Sequence, residues 1–439
     1  MVQEIETLLS RQAVEDLDLE ALELAVRQQV LQLAGTAVEQ RLNADTSDER
    51  GARTPCGCGQ EARLVGRRSK QVHSVLGPLQ LKRAYYHCSS CGHGFCPRDE
   101  HLGIENTSLS PALTRMVGTV GAMVSFQEGS ELLTELAGVP VDAKQVERTA
   151  EALGKEIAAD ERVHTEPVDA LPLPRTLYLG MDGTGIPLRA EELVGRTGKQ
   201  PDGSAKTGEV KLCTIWSAES LDEEGTPVRD EGSISYSAAL ESACALDTAA
   251  ARSPFAQRVW REATRRRFCQ ASRTVVLGDG ALWIWNIAAD QFPGATQIVD
   301  RYHAKQYLSE VGKALYGPTA TRAAQWAERR KQELDTGKFL ALLNALRRQV
   351  PRSDLASRCL HYFKTNRERM RYPQFHAQGL CTSSGVVEAG CKVAIGTRLK
   401  RAGMHWTKQG SNAIIALRCS KLSGRFQDFW ERRSQRRAA

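Results

Sequence analysis

LYLGMDGTG (residues 177–185) and TVVLGDGA (residues 274–281) contain two short apolar runs that each reach an aspartate followed by glycine, Asp182 in the first and Asp279 in the second. Four or five apolar residues bounded by glycine are typical of a buried strand in a parallel or mixed sheet. Sites in such α/β sheets lie beyond the carboxyl ends of the strands. The two runs therefore predict an α/β fold with both aspartates at one functional edge of its sheet.

The segments between and around these runs alternate as strands and helices do in a mixed sheet. Apolar runs predict the strands, and longer segments between them predict the helices. In chain order we expect strand 176–182, a glycine-rich loop 195–208, strands 209–216 and 232–237, helix 240–266, a strand to Asp279, helix 281–291 and a strand reaching 299–300. Three consecutive strands followed by two helix–strand steps is the layout of a ribonuclease H-like domain.

The rest of the chain divides by its patterning into further segments. Apolar residues three and four apart predict a helix over 1–42, and a polar, glycine-containing stretch over 43–51 predicts a linker. Apolar alternation on either side of Gly77-Pro78 predicts a hairpin, and 130–149 has helix–turn–helix proportions. The predicted domains are a helical segment 1–50, a cysteine-rich zinc-binding β module 51–105, a helical DNA-binding region 106–167, the core's first part 168–308, a helical insertion 309–380, and the core's last helices with a basic tail 381–439.

Composition restricts the class of protein. The chain is 41% hydrophobic and 25% charged, as soluble globular proteins are, and it has no apolar run near 18 residues and no signal peptide. We therefore expect a cytoplasmic protein with no membrane segment. The net charge of +7 is modest, but basic residues cluster at 265–267, at 398–401 and within 432–437. Such clusters suit a phosphate backbone, although solvated helix faces carry similar ones.

A third acid, Glu388, lies 109 residues after Asp279 in a segment of helical pattern, SSGVVEAGCKVAIGTRLKRAG (383–403). Three carboxylates suit divalent cations, because Mg²⁺ prefers oxygen ligands. We predict that Asp182, Asp279 and Glu388 hold Mg²⁺ or Mn²⁺. The cations that follow on the same segment predict DNA-backbone contacts; they are Lys392, Arg398, Lys400 and Arg401. An ordinary amphipathic helix with a Glu388–Lys392 pair is the alternative for the charges.

Asp300 and His303 follow the last predicted strand, in IVDRYH (298–303). They are either accessory residues of the metal site or the start of a capped helix, because aspartate is a good N-cap residue. His303 could also contact a phosphate. Both alternatives stay open on the sequence alone.

Five of the twelve cysteines lie between Cys56 and Cys96. Cys56-Gly-Cys58 and Cys88-Ser-Ser-Cys91 have 29 residues between them, which predicts a four-thiolate structural Zn²⁺ stapling a module too small to form its own core. The Cys-x-Cys half is tighter than the usual spacing. One of its members could therefore be replaced by another nearby residue, namely Cys96, His87 or His93.

Three stretches of the sequence carry a family resemblance: GMDGTGIPL (180–188), VVLGDGALWIWNIAADQFPGATQIVDRYHA (275–304) and SGVVEAGCKVAIGTRLKRAGMHWT (384–407). Together they resemble bacterial insertion-sequence transposases of the DDE type, in particular the ISKra branch, which is related to the Mutator-like enzymes. The motifs fall in the family's order over roughly residues 50 to 430. The knuckle HCSSCG (87–92) and the ending GFCPRD (94–99) are similar to the family's cysteine module.

The resemblance implies a ribonuclease H-like catalytic core in which Asp182, Asp279 and Glu388 are the metal-binding triad. It further implies metal-dependent cleavage of DNA and strand transfer by a 3′-hydroxyl, with no covalent protein intermediate. The helical stretch before Glu388 corresponds to the insertion domain of such enzymes. The expected partner is double-stranded DNA, at the element's ends and at the target, and the expected state is a homodimer in the bacterial nucleoid.

Two other functions fit part of the same sequence. A stand-alone nuclease of the ribonuclease H superfamily would use the same three acids without strand transfer, but it leaves the zinc and helix–turn–helix segments without a purpose. A non-catalytic DNA-binding regulator would use those segments and leave the carboxylates structural. Terminal inverted repeats beside the gene would favour transposition over both.

Overall fold

The computed structural model describes residues 18–167, 173–193, 207–223, 225–243, 252–383 and 385–438. They form two compact units, one running to Leu153 and including Gln427 onward, the N-terminal unit, and one covering Gly154–Phe426, the central unit. Three predictions fall partly outside the described residues. They are the helix predicted over 1–42, for its residues 1–17; the glycine-rich loop predicted over 195–208, for its residues 195–206; and the helix predicted over 240–266, for its residues 244–251. No described helix is both long enough and apolar enough to cross a membrane.

The N-terminal unit contains a small antiparallel sheet, with helices before and after it along the chain. Helix α1 begins after Asp18, whose side chain accepts the Glu20 N–H, and the four strands lie side by side in chain order. The elements are α1 Leu19–Ala44, β1 Arg53–Pro55, β2 Glu61–Ser74, β3 Gly77–His87, β4 Gly94–Phe95, α2 Pro97–Leu102, α3 Pro111–Met123, α4 Phe126–Ala137, α5 Ala143–Val163 and α16 Phe426–Ala438. The division between the two units falls inside α5.

The hairpin β2–β3 is present, but its turn lies two residues earlier than the sequence predicts. Ser74 pairs with Gly77, so Val75 and Leu76 form the turn and Pro78 already belongs to β3. The Ser74 hydroxyl accepts the Leu76 N–H and donates to the Gly77 carbonyl, 2.7 Å away. A serine that bonds to nearby backbone in this way closes a turn by itself.

The stretch 43–51 packs against this hairpin, and its interpretation as a linker is wrong. Asp48 is buried, accepts the Ala84 N–H at 2.7 Å and pairs with Arg98 at 3.1 Å and Arg67 at 3.2 Å. A carboxylate is stable in such a position only when hydrogen bonds and cations compensate for its lost hydration. The polar composition of this stretch therefore reflects a buried ionic contact.

Helices α4 and α5 have the helix–turn–helix proportions that the sequence predicts. Ser125 and Glu128 form a capping box at the start of α4, which ends at Gly138, and 138–142 connects the two helices. Apolar residues from both helices and the connection share one buried cluster with α3; they include Leu133, Val141 and Val146. Because the cluster is continuous, the connection is rigidly packed.

The central unit is built on a five-stranded mixed sheet. Its strands are β5 Thr176–Pro187, β6 Thr207–Ser217, β9 Ser235–Ala239, β10 Arg273–Gly278 and β11 Thr296–Val299, while β7 Ser220–Leu221 and β8 Pro227–Val228 form a separate pair. The spatial order is β9-β6-β5-β10-β11. The first three strands are antiparallel, and β10 and β11 run parallel to β5. Numbered within this sheet along the chain, the order is 3-2-1-4-5.

Helices cover the sheet and form the stretch before Glu388. They are α6 Pro254–Arg265, α7 Leu282–Gln291, α8 Arg301–Tyr316, α9 Thr321–Asp335, α10 Phe339–Arg347, α11 Asp354–Thr365, α12 Tyr372–Ala377, α13 Gly385–Gly390, α14 Thr397–Leu399 and α15 Lys408–Leu422. A π-helical segment, Cys391–Gly396, joins α13 to α14. The core comprises buried residues of the strands and of these helices, such as Leu179, Val276 and Phe363. The described helix α6 begins at Pro254, after the capping residue Ser253.

Candidate functional site

Asp182 lies within β5 and not at the end of a strand, which corrects the sequence prediction. Strand β5 continues to Pro187 because β6 pairs with it throughout, Asp182 opposite Leu212. On its other side, however, β5 pairs with β10 only as far as Gly180. Asp182 is therefore placed where β5 extends beyond its parallel neighbour, which is still an opening at the edge of the parallel part of the sheet.

Asp279 directly follows β10, as predicted. Its carboxylate oxygen Oδ1 accepts the Ala281 N–H at 2.9 Å, which orients the side chain at the start of α7. The next residue has a φ of +103°, a backbone conformation that favours glycine, and a Cβ there would lie 2.4 Å from the ring of Tyr362. Gly280 is thus required by both conformation and space, which explains the Asp-Gly pair in the sequence.

Tyr362 of α11 is a site neighbour that the sequence does not reveal. Its hydroxyl donates to the main-chain carbonyl of Asp279 at 2.8 Å, across 83 residues of sequence. Burial raises the pKa of Tyr362, and the charges of Asp279 and Asp300 raise it further, so the hydroxyl remains protonated and able to donate. The bond ties the helical insertion to the loop that carries Asp279.

Glu388 is brought to the sheet by close packing of α13. Val387 is buried against β5 at Gly180, where a Cβ would lie 2.1 Å from a Val387 methyl group. On the next turn, a Cβ at Gly390 would lie 3.1 Å from a Leu212 methyl group of β6, a tight but less severe contact. The two glycines therefore let the helix lie directly on β5 and β6, and Glu388 itself is exposed to solvent beside them.

Cys391 links this helix to the first aspartate. Its thiol donates to Asp182 Oδ2 at 3.3 Å, and the Gly183 N–H donates to Oδ1 at 2.7 Å. Cys391 follows Glu388 by three residues, so the two side chains project from neighbouring positions of one helical surface. The π-helical segment begins at Cys391. Such insertions of one wide turn are frequent at functional sites because they redirect side chains.

Asp182 lies close enough to the other two predicted acids for their charges to act on it. The pKa of Asp182 is raised, first by burial and then by the negative charges of Asp279 and Glu388, against the opposing effect of its two hydrogen bonds. The three carboxylates therefore converge on one region. They are less tightly gathered than metal-bound ligands are: among the described residues only the cysteine cluster places three or more ligand atoms within 4.8 Å of one another.

This arrangement fits a divalent cation. Ionising Asp182 beside the negative charges of Asp279 and Glu388 costs free energy, and a cation bound between the carboxylates would remove that cost. The donor set also consists of hard oxygen ligands, which suit Mg²⁺ and Mn²⁺. Asp182, Asp279 and Glu388 are thus the residues that could hold such an ion.

The raised pKa of Asp182 predicts that, without divalent cations, this carboxyl group's own contribution to stability falls as pH rises. An unfolded aspartate titrates near pH 3.9. Above about pH 4 and up to the raised pKa, the folded chain binds a proton that the unfolded chain has lost, so the free energy of unfolding falls with increasing pH. Asp182→Asn keeps the shape and cannot ionise. In EDTA, its Tm relative to the parent protein should therefore increase from about pH 4 to about pH 7.

The matched control for this measurement is Asp290→Asn, which alters an exposed aspartate that pairs with Arg252. Its Tm relative to the parent protein should not rise over the same interval. If Asp182→Asn and the parent protein changed in parallel with pH, the carboxylate cluster would not destabilise the fold as argued.

Asp300 is the N-cap of α8. Its carboxylate accepts the Tyr302 N–H at 3.0 Å and the His303 N–H at 3.2 Å, and it is almost fully buried. Of the two alternatives that the sequence leaves open, the capped helix start is therefore present. Asp300 also lies close enough to Tyr362 for its charge to act on the hydroxyl, so it borders the site while serving the helix. His303 is half-buried on the first turn of α8.

The four predicted DNA-binding cations divide by exposure. Lys392, Lys400 and Arg401 are exposed, and Lys400 donates to the Thr184 hydroxyl on β5, beside the site. Arg398 is fully buried and lies over the ring of Trp406, 5.3 Å from its centroid. Its assignment as a phosphate-binding residue is wrong, because its side chain has no access to a polyanion.

Other residues near the basic runs are structural. Trp406 is buried and donates its ring N–H to the Leu399 carbonyl at 3.0 Å, so its ring belongs to the packed interior. Within the basic run 265–267, Arg265 is buried and pairs with Glu262 at 3.1 Å. In the tail, Arg433 lies over the ring of Trp430. Runs of positive charge in this sequence therefore include residues that support the fold.

The N-terminal unit contains the predicted cysteine cluster. The sulfur atoms of four cysteines lie within 4.8 Å of one another; they are Cys56, Cys58, Cys88 and Cys91. The Sγ atoms are 3.7 Å apart in two of the pairs. Tetrahedral Zn²⁺ with Zn–S bonds of about 2.3 Å requires Sγ atoms about 3.8 Å apart. The cluster could therefore bind zinc.

The three alternative ligands lie outside this cluster, which removes the ambiguity of the Cys-x-Cys half. Cys96 is buried, and burial raises its pKa. Within the cluster, the Cys91 N–H is the main cause that lowers the pKa of Cys88 to about 6. Against the effect of its own hydrogen bond with the His93 main chain, the hydrogen bond between Cys91 and Cys58 raises the pKa of Cys91 to about 12. Backbone donors directed at a ligand sulfur stabilise its thiolate form.

The sequence has no match among family models or curated proteins, and it has a remote likeness among solved structures. Among solved structures, the Drosophila P element transposase strand transfer complex resembles the chain at 8% sequence identity and a TM-score of 0.25, over 72% of this chain and 80% of that chain.

Proposed function

We propose that the chain is a DDE-type transposase, of the ISKra branch that its motifs resemble, which binds the terminal inverted repeats of an insertion sequence and cleaves and joins DNA strands. The observation that carries the proposal is the convergence of Asp182, Asp279 and Glu388 on a sheet of order 3-2-1-4-5. That strand order, antiparallel for the first three strands and parallel for the others, supports a ribonuclease H-like core.

The three carboxylates would hold Mg²⁺ or Mn²⁺, which when bound supplies Lewis-acid stabilisation of charge on phosphate oxygens. The protein's part is to orient these acids. The Gly183 N–H and the Cys391 thiol fix the two oxygens of Asp182, and the Ala281 N–H fixes Asp279. Positioning of this kind accounts for much of catalysis in phosphoryl transfer, because little covalent chemistry falls to the protein.

The exposed cations after Glu388 would contact the phosphate backbone. Lys392 and Lys400 are exposed on the segment that follows the third acid, and Arg401 continues it. Contacts with phosphates position a duplex without specifying its sequence. They would thus hold the scissile strand while the acids act on it.

The N-terminal unit would select the DNA end. A zinc module and a packed helix–turn–helix pair supply recognition surfaces that a plain nuclease does not need. We propose Zn²⁺ at the four cysteines as a structural ion. A homodimer that pairs two element ends completes the proposal. The stand-alone nuclease is the second candidate, because it would use the same three carboxylates. A non-catalytic regulator is less well supported, because it would not need these carboxylates to lie together.

The direct test is an in vitro assay on DNA carrying the element's own inverted repeats. We expect cleavage at the repeat ends and joining of the 3′ end to a second duplex, both dependent on Mg²⁺ or Mn²⁺. Shuffled-sequence ends of equal length are the control. Metal-dependent cleavage of shuffled and native ends alike, without joined product, would favour the nuclease, and binding without cleavage would favour the regulator.

A further inference from the structure

Positive charge in the central unit is concentrated in one part of the helical insertion. Residues 336–371, which include α10 and α11, contain nine Lys and Arg against two Asp and Glu, a net charge of +7. This equals the net charge of the whole 439-residue chain. The rest of the chain therefore sums to zero net charge, because its own basic clusters at 265–267, 398–401 and 432–437 are offset by acidic residues elsewhere.

Nearly all of these cations face solvent. Eight of the nine are exposed: Lys338, Arg347, Arg348, Arg352, Arg358, Lys364, Arg367 and Arg371. We call this set the cationic insertion face. Among the described residues of this stretch, one ion pair forms, between Arg371 and Glu368. The other exposed cations thus have no carboxylate in ion-pair distance within the described part of the chain.

The cationic insertion face is fixed beside the candidate site. Tyr362 of α11 bonds to the Asp279 carbonyl, and its ring packs on Gly280. On the same helix, Arg358 lies one turn before Tyr362 and on the same side, whereas Lys364, two residues after Tyr362, projects from another side; both are exposed. The buried side of α11, which includes Cys359 and Phe363, belongs to the main core, so the helix cannot turn away.

We propose that the cationic insertion face binds the phosphate backbone of duplex DNA and leads it to the carboxylate site; this rests on the proposed function. Helix α11, of 12 residues, is about 18 Å long, and a duplex carries about ten phosphates over that length. Exposed Lys and Arg without acidic partners are the groups that release counterions from such a polyanion. The face therefore extends phosphate binding well beyond the cations that follow Glu388.

The test uses the full-length protein with Arg358→Gln and Lys364→Gln combined. If each residue contacts one phosphate, the slope of log K against log salt should fall by about 2, and affinity for any duplex should fall roughly 10- to 100-fold at about 0.1 M salt. The matched control is Lys313→Gln with Arg329→Gln, which removes equal charge from exposed positions on α8 and α9. Arg358→Lys with Lys364→Arg should retain binding.

Equal loss of affinity in the test and control variants would overturn the inference, because only total charge would then matter. An unchanged duplex isotherm together with weaker binding of polyglutamate would also overturn it, in favour of an acidic protein partner. Neither result would touch the proposed function, which fails only if the parent protein does not cleave and join element ends. Unchanged Tm values would confirm that the variants are folded.

Discussion

Asp279→Asn is expected to abolish strand cleavage and leave binding to the element's ends intact. The substitution preserves shape, and the amide oxygen can still accept the Ala281 N–H. It removes one of the three proposed metal ligands, a charge that acts on Asp182. Cation stabilisation of a transferring phosphoryl group is worth several kcal/mol, and about 1.4 kcal/mol is tenfold in rate, so the rate should fall by about 10³-fold or more. Asp182→Asn should behave alike.

The measurement is single-turnover cleavage at saturating protein, with end binding followed separately by anisotropy. Asp300→Asn is an informative control, because asparagine keeps the N-cap of α8 and removes only the charge. Retained activity in Asp300→Asn would limit this residue to capping, and a loss as large as in Asp279→Asn would make it an accessory ligand. Near-parental cleavage by Asp279→Asn or Asp182→Asn would refute the metal site.

The carboxylate cluster should also affect stability independently of activity. Because burial and the charges of Asp279 and Glu388 make ionised Asp182 unfavourable while no cation is bound, Mg²⁺ or Mn²⁺ should raise the Tm of the parent protein at neutral pH. The rise should be smaller in either asparagine variant. This separates a lost ligand from a lost catalytic step.

The sheet could be predicted from the sequence because its strands are buried on both sides. Leu177–Leu179 and Val275–Leu277 are fully buried, and continuous apolar runs of that length are typical of strands covered on both faces. The end of β5 could not be predicted in the same way. Its extension past Asp182 depends on pairing with β6, a non-local interaction that leaves no mark on the glycine-rich residues around Gly183.

The candidate site was predictable where chemistry is carried by residue type and was not where it depends on tertiary packing. Four cysteines could be identified by kind and spacing, and the structure brings their sulfur atoms together, whereas the metal-binding role of the three acids stays a prediction. The burial of Arg398 could not be predicted, since a run of charged residues does not show which of them faces the core. Tyr362 lies 83 residues from Asp279 and has no local signal at all. Cys391 could have been predicted as a neighbour of Glu388, because residues three apart on a helix lie on the same side.

Cys88→Ser is expected to remove zinc from the protein and unfold residues 54–97. Cys88 is buried at the centre of the cluster, with its Sγ 3.7 Å from that of Cys58. The surrounding apolar cluster is small, comprising Ala62, Ala84 and Tyr86 with the cysteines themselves. A module with so little core depends on its ion, whose apparent binding free energy in such sites is about 10–16 kcal/mol and is also folding free energy.

Elemental analysis of protein prepared with zinc present should give about one ion per chain for the parent protein and close to none for Cys88→Ser. Hydrogen exchange should accelerate across β1–β4, while β5, β10 and β11 of the central unit remain protected. Cys96→Ser is the matched control: it removes a buried thiol outside the cluster, and serine suits its N-cap position before α2. Full zinc content and protected β1–β4 in Cys88→Ser would show that the four thiols do not hold a structural ion, because a site that has lost one of four ligands and its strongest thiolate should not keep both.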